Sequence, residues 1–149
     1  MGSDDSLRVL RVYHGGRNPV HRACERLLVG NGVDISLVVP ALWPEGAGEA
    51  VLSAEGFPMV ELPVVRAGDV NRHSYTQPGR LVSLISEVMP DVLDVHEAPC
   101  SLAARQSLAA APPDLPVVMY TAQNVDKRFP PPFVQYEHAA HRRVAAFYP

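Results

Sequence analysis

Residues 7–39 read LRVLRVYHGGRNPVHRACERLLVGNGVDISLVV, and the punctuation of this stretch decides the fold. Residues 7–13 form a short strand-like run that stops at His14-Gly15-Gly16-Arg17-Asn18-Pro19. Val20, Ala23, Cys24, Leu27 and Leu28 then follow at i, i+3, i+4, i+7 and i+8. That spacing predicts a helix with one apolar stripe turned to a core. Asn18 suits its N-cap and Pro19 its first position, and Gly30-Asn31-Gly32 supplies the stop. Residues 33–39 make a second strand. Its last three residues are apolar without alternation, the pattern of a strand covered on both faces of a parallel sheet.

Working outward, the alternation continues. A short helix is expected over 45–55. Residues 59–65 (MVELPVV) form a third strand, placed at an edge because Pro63 cannot donate to a ladder. A long polar loop spans 66–77. Leu81, Leu84, Ile85 and Val88 mark a helix ended by Pro90, and residues 92–96 a fourth strand. Helix 101–111 ends at Pro112-Pro113, strand five covers 117–121, a loop with three successive prolines covers 122–133, and a last helix covers 135–146. Phe147-Tyr148-Pro149 opens like a sixth strand, so the chain is expected to be truncated. Strands alternating with helices predict an α/β, Rossmann-like, doubly wound parallel sheet in three layers. The expected strand order is 3-2-1-4-5. Strands one and four are then neighbours at the topological switch point, where ligands bind beyond the carboxyl ends.

Composition sets the bounds. The 149 residues fit one domain, and 47% are hydrophobic, enough to bury a core. The net charge of −3 gives no broad basic field, so nucleic acid is not an expected partner. Lys127 is the only lysine; most of the arginines are expected to face solvent. Cys24 and Cys100 have no CxxC spacing and are read as reduced packing residues. Residues 1–6 are expected to be disordered or tag-like, without the segments of a signal peptide. No apolar run approaches the ~20 residues of a membrane span. A cytoplasmic protein is expected, with membrane contact at most peripheral.

Four segments can carry chemistry. Gly15 and Gly16 join a strand to a helix start, where backbone approaches a ligand closely and N–H groups suit a phosphate. Any α/β fold also needs a tight turn there. The stretch is not GxGxxG, strand two ends in Val38-Val39-Pro40 without a ribose-binding acid, and there is no GxxxxGK[ST] loop. Nicotinamide and P-loop chemistry are therefore not expected. His96 and Glu97 close the fourth strand at the switch point, where a histidine can bond a sugar or stabilise positive charge, or simply be structural. Residues 122–129 gather Asn124, Lys127 and Arg128 on a loop at the same rim. His73 and Tyr75 lie in the long loop 66–77. His138 and His141 stand at i, i+3, not the i, i+4 of HExxH, so no metal site is expected.

Three segments together resemble the N-terminal domain of family 4 glycosyltransferases, retaining enzymes of the two-Rossmann-domain GT-B fold. They are YHGGRNPVHRACERLL, PDVLDVHEAPCSLAARQ and VVMYTAQNVDKRFPPPF. The resemblance implies a nucleotide-diphosphate sugar as donor, an acceptor hydroxyl and no metal or further cofactor. Gly15 and Gly16 would touch the donor phosphates, and His96 would lie by the transferred sugar as the catalytic residue. Glu97, Asn124, Lys127, Arg128, His73 and Tyr75 would fall on the acceptor side. The departing phosphate would itself serve as base, with the protein positioning and stabilising charge. The donor-holding C-terminal domain, with its paired glutamates, is outside this sequence, so the chain alone is expected to be inactive. Relatives often carry a second acid after the His-Glu pair where this chain has Ala98. The alternative is a non-catalytic Rossmann-like module that binds a ligand or partner.

Overall fold

The computed structural model describes residues 5–45, 48–49, 55–121 and 127–149. Six strands form one parallel sheet: β1 (Arg8–Val12), β2 (Asp34–Pro40), β3 (Met59–Leu62), β4 (Val92–Val95), β5 (Val117–Tyr120) and β6 (Ala146–Tyr148). Their spatial order is β3-β2-β1-β4-β5-β6. The expected order is therefore observed, with β6 added beyond β5. Pro63 does mark an edge: β3 is the outermost strand, and the chain after it leaves to pair Val64–Val65 with Ser74–Tyr75.

The helices are α1 (Ala23–Gly30), α2 (Pro78–Val88), α3 (Leu102–Ala110) and α4 (Phe133–Arg143). Helices α2, α3 and α4 pack side by side and cover one face. There Leu10, Val12, Leu81, Leu84, Leu93, Val95 and Met119 form the main core. Helix α1 packs against β2 on the other face, over a smaller cluster of Val9, Ile35, Leu37, Val39 and Phe57. Alternate residues of β1 and β2 thus feed opposite cores, as a strand's period of two requires. Among the described residues no helix is long and apolar enough to cross a membrane.

Three expectations need correction. In place of a helix start at 45, Pro44–Glu45 pairs antiparallel with Gly48–Glu49, a ribbon that Pro and Gly favour over a helix; residues 46–47 and 50–54 lie outside the described ones. The last helix begins at Phe133, directly after Pro132, and ends at Arg143 so that the chain can enter β6. The third concerns the first helix. Asn18 does cap, accepting from the Val20 N–H at 3.1 Å, but the turn it caps, Pro19–Arg22, is a 3-10 turn that precedes α1. Most of the apolar stripe does not face the core: Val20 is 77% and Leu27 68% exposed and Cys24 is exposed, while Leu28 packs against the smaller cluster. Arg22 and Glu25 are buried instead. Periodicity failed because Arg11 of the sheet holds Glu25, and the carbonyls of the preceding turn hold Arg22, which draws this face inward.

Candidate functional site

The site grows from the carboxyl ends of β1 and β4, which pair with Val12 opposite Val95. After β1 the chain makes a 3-10 turn at His14–Arg17. The Tyr13 ring folds back over this turn, so a Cβ added at Gly15 would lie 2.6 Å from it. A Cβ at Gly16 would lie 2.9 Å from the Leu37 side chain. A side chain at either position would have to move the Tyr13 ring or the Leu37 methyl that now fills the space. Arg22, fully buried, holds the turn from behind. Its guanidinium donates to the Gly16 carbonyl, to the Arg17 carbonyl at 2.7 Å and to Glu55 at 3.0 Å. The carbonyls of the turn are fixed on a buried cation, which sets the orientation of the peptide planes.

Beside the turn, Glu97 ties the β4 loop to the β1 loop. One carboxylate oxygen accepts the His14 backbone N–H at 2.8 Å, and the other bonds His14 Nδ1. Behind it stand two fully buried side chains, His73 and Tyr75. His73 Nδ1 donates to the Asp69 carbonyl at 3.0 Å, which turns Nε2 toward Glu97 Oε1, 3.9 Å away. Burial and the Glu97 charge push the Tyr75 phenol well above its ordinary pKa. Trp43 closes the cluster, its ring 4.6 Å from His14 and 4.8 Å from His73. The three groups His14, His73 and Glu97 place potential metal-ligand atoms within 4.8 Å of one another. Glu97 already spends both oxygens on His14, so hydrogen bonding accounts for its orientation.

His96 follows β4 and is anchored by its backbone N–H to the Val12 carbonyl at 2.9 Å. Its ring stacks on Tyr120 at 4.0 Å and 11°, and leans against Tyr13 at 4.2 Å. Beneath lies a network that the sequence reading missed. Arg11, 4% exposed in the middle of β1, bridges Glu25 of α1 at 2.6 Å and Asp94 of β4 at 2.8 Å. Burial opposes the Arg11 charge, but Asp94 and Glu25 outweigh it and hold its pKa above the ordinary value. Asp94 also accepts the Tyr148 hydroxyl of β6 at 2.8 and 2.9 Å, and that hydroxyl lies 3.4 Å from His96 Nδ1. Most arginines do lie at or near the surface; Arg11, Arg17 and Arg22 are the buried exceptions, where a carboxylate or carbonyl waits for each.

Burial, with the Arg11 and His14 charges adding, lowers the His96 pKa from 6.5 to about 4. His96 is therefore a neutral imidazole through the physiological range. The unfolded chain takes up its proton first as pH falls, so this group's contribution to stability is lost between about pH 6.5 and 4. An NMR titration is expected to show the His96 ring signals unmoved from pH 8 to 5.

The structure thus brings together Gly15, Gly16, His96, Glu97, His73 and Tyr75, and adds His14, Trp43, Tyr120 and Tyr148. Glu97, His73 and Tyr75 are floor residues: each is at most 2% exposed. Lys127 and Arg128 are exposed beyond β5, and Asn124 lies outside the described residues. The missed network had a signal: Arg11 and Asp94 each interrupt an apolar strand at the same register position. Both cysteines are free, and Cys100 is buried as expected of a packing residue, but Cys24 is not.

No protein-family model matches this sequence, and no curated protein matches it. Solved structures do share its fold. MurG of Acinetobacter baumannii superposes with a TM-score of 0.58 at 14% identity, over 95% of this chain and 40% of that one. The UDP-glucose 4-epimerase of Brucella ovis in complex with NAD gives 0.53 at 16%, over 92% and 46%. An α-glucosyltransferase in complex with UDP and a DNA 13-mer gives 0.51 at 12%, over 95% and 37%. The chain spans about two fifths to half the length of these proteins. At such identities the likeness shows the fold alone: a Rossmann-like α/β sheet of the kind found in a glucosyltransferase and in a nucleotide-sugar epimerase.

Proposed function

We propose that the chain is the acceptor-side Rossmann-like domain of a retaining glycosyltransferase of family 4, which moves a sugar from a nucleotide diphosphate to a hydroxyl. The observation that carries the reading is the meeting of the buried Gly15-Gly16 turn with His96 across the switch point between β1 and β4. Gly15 and Gly16 would lie against the donor diphosphate, with the backbone fixed by Arg22. His96 would face the transferred sugar. Glu97, His73 and Tyr75 would act on the acceptor side by setting His14 from beneath, and Asn124, Lys127 and Arg128 would meet the acceptor at the rim. No metal is required: positioning and electrostatics do the work while the phosphate leaves.

The epimerase likenesses favour a second reading, an NAD-binding domain. Two features oppose it. Strand β2 ends in Val38-Val39-Pro40, without an acid for a ribose. The turn after β1 is not GxGxxG.

The test is calorimetry with UDP- and GDP-sugars, and with NAD, on this chain and on one extended by about 200 residues, a domain's length. The reading expects binding that is strong only in the longer chain, and little or no transfer by the shorter one. Robust transfer by the 149-residue chain, or tight NAD binding, would overturn it. A domain that binds neither class in either form would be a non-catalytic module.

A further inference from the structure

We propose that Tyr148 is a positioning residue that fixes the tautomer of His96 and makes Nε2 a hydrogen-bond acceptor for a ligand hydroxyl. The inference rests on the transferase reading only for the identity of that ligand. Its geometry starts in the sheet. Arg11 is locked between Glu25 and Asp94, so Asp94 is a carboxylate that accepts and does not donate. Tyr148 has one hydroxyl proton, and both Asp94 oxygens lie within 2.9 Å of it. The phenol oxygen is left with lone pairs, and one faces His96 Nδ1 at 3.4 Å. A lone pair there is satisfied only by an N–H, so Nδ1 carries the ring proton.

A neutral imidazole then has its other nitrogen, Nε2, as a bare lone pair. Nothing among the described residues bonds Nε2, whereas Tyr120 and Tyr13 pack against the ring and prevent it from turning. The side chain is therefore presented as a fixed acceptor, not a donor. The groups that face it are Tyr13, Tyr120, Tyr148, Asp94, Arg11 and His14. The phenol of Tyr148 is raised by burial and by Asp94, so it keeps its proton wherever the protein is folded. A site built this way selects a ligand that offers a hydroxyl, such as a sugar ring, over one that offers a carbonyl or carboxylate at the same place.

The experiment is a long-range proton–nitrogen NMR correlation on the 149-residue chain at neutral pH, which reads each histidine tautomer directly. For His96 the expected result is a pyrrole-like Nδ1 and a pyridine-like Nε2. The opposite assignment in the unmodified chain overturns the proposal without any variant. In Tyr148→Phe the acceptor is gone, and the signals are expected to move toward the Nε2-protonated form. An unmoved tautomer in a folded Tyr148→Phe would show that Tyr148 does not set it. If Tyr148→Phe fails to fold, the unmodified chain still decides. Failure to bind any sugar nucleotide would remove the transferase reading and leave the tautomer result standing.

Discussion

Arg11→Met is expected to lower the unfolding free energy by about 3–5 kcal/mol, the usual cost of stranding buried charges when one partner of a buried pair is removed. Glu25 and Asp94, both almost without exposure, would lose their shared cation. Methionine fills similar volume, so the loss reads charge and not packing. Urea unfolding checks it, and pH gives the signature. Stranded buried carboxylates have raised folded-state pKa values, so the folded form binds protons first as pH falls. The deficit should therefore shrink between neutral pH and about pH 5. Arg11→Lys keeps the charge but not the fork that reaches two carboxylates, and is expected to recover only part of the loss. A variant within ~0.5 kcal/mol of the parent, the range of ordinary surface changes, would show that the network is not structural.

Arg22→Met is expected to cost about 3 kcal/mol, from two buried carbonyls losing a charged donor. Glu55 keeps Arg26 as a partner at 2.7 Å, so its charge is not stranded and the cost should stay below that of Arg11→Met. The second consequence is local. With Arg22 gone, the Gly16 and Arg17 peptides have no cation behind them. Amide hydrogen exchange at Gly15–Asn18 should then accelerate more than the global destabilisation accounts for. Equal acceleration throughout the chain would mean that Arg22 supports the fold but does not hold the turn.

Much of the fold was legible from local chemistry. Continuous apolar runs in β2, glycines and prolines between elements, and Pro63 after β3 led to the sheet order and its edge. The Asn18 cap was readable because capping depends on residues two or three apart. The burial of α1 was not. Its buried face is set by Arg11, 14 positions before Glu25, and by Asp94, 83 positions from Arg11. No local periodicity contains that information. Position at the switch point singled out Gly15, Gly16, His96 and Glu97. His73 and Tyr75 came from loop length, and the structure puts them in the floor because the loop folds back to form a ribbon with Val64–Val65. Trp43 and Tyr148 were missed: lone aromatics in short segments look alike whether they line a site or fill a core.

The central claim is that sugar nucleotides meet this chain at the ends of β1 and β4. Its most direct test is an amide-shift map of the 149-residue chain during titration with UDP- and GDP-sugars, with NAD as the comparison. The account predicts weak, roughly millimolar binding, with the largest shifts at Gly15, Gly16 and His96 and smaller ones at His14. Shifts confined to other surfaces, or the same shifts produced by NAD at far lower concentration, would contradict it.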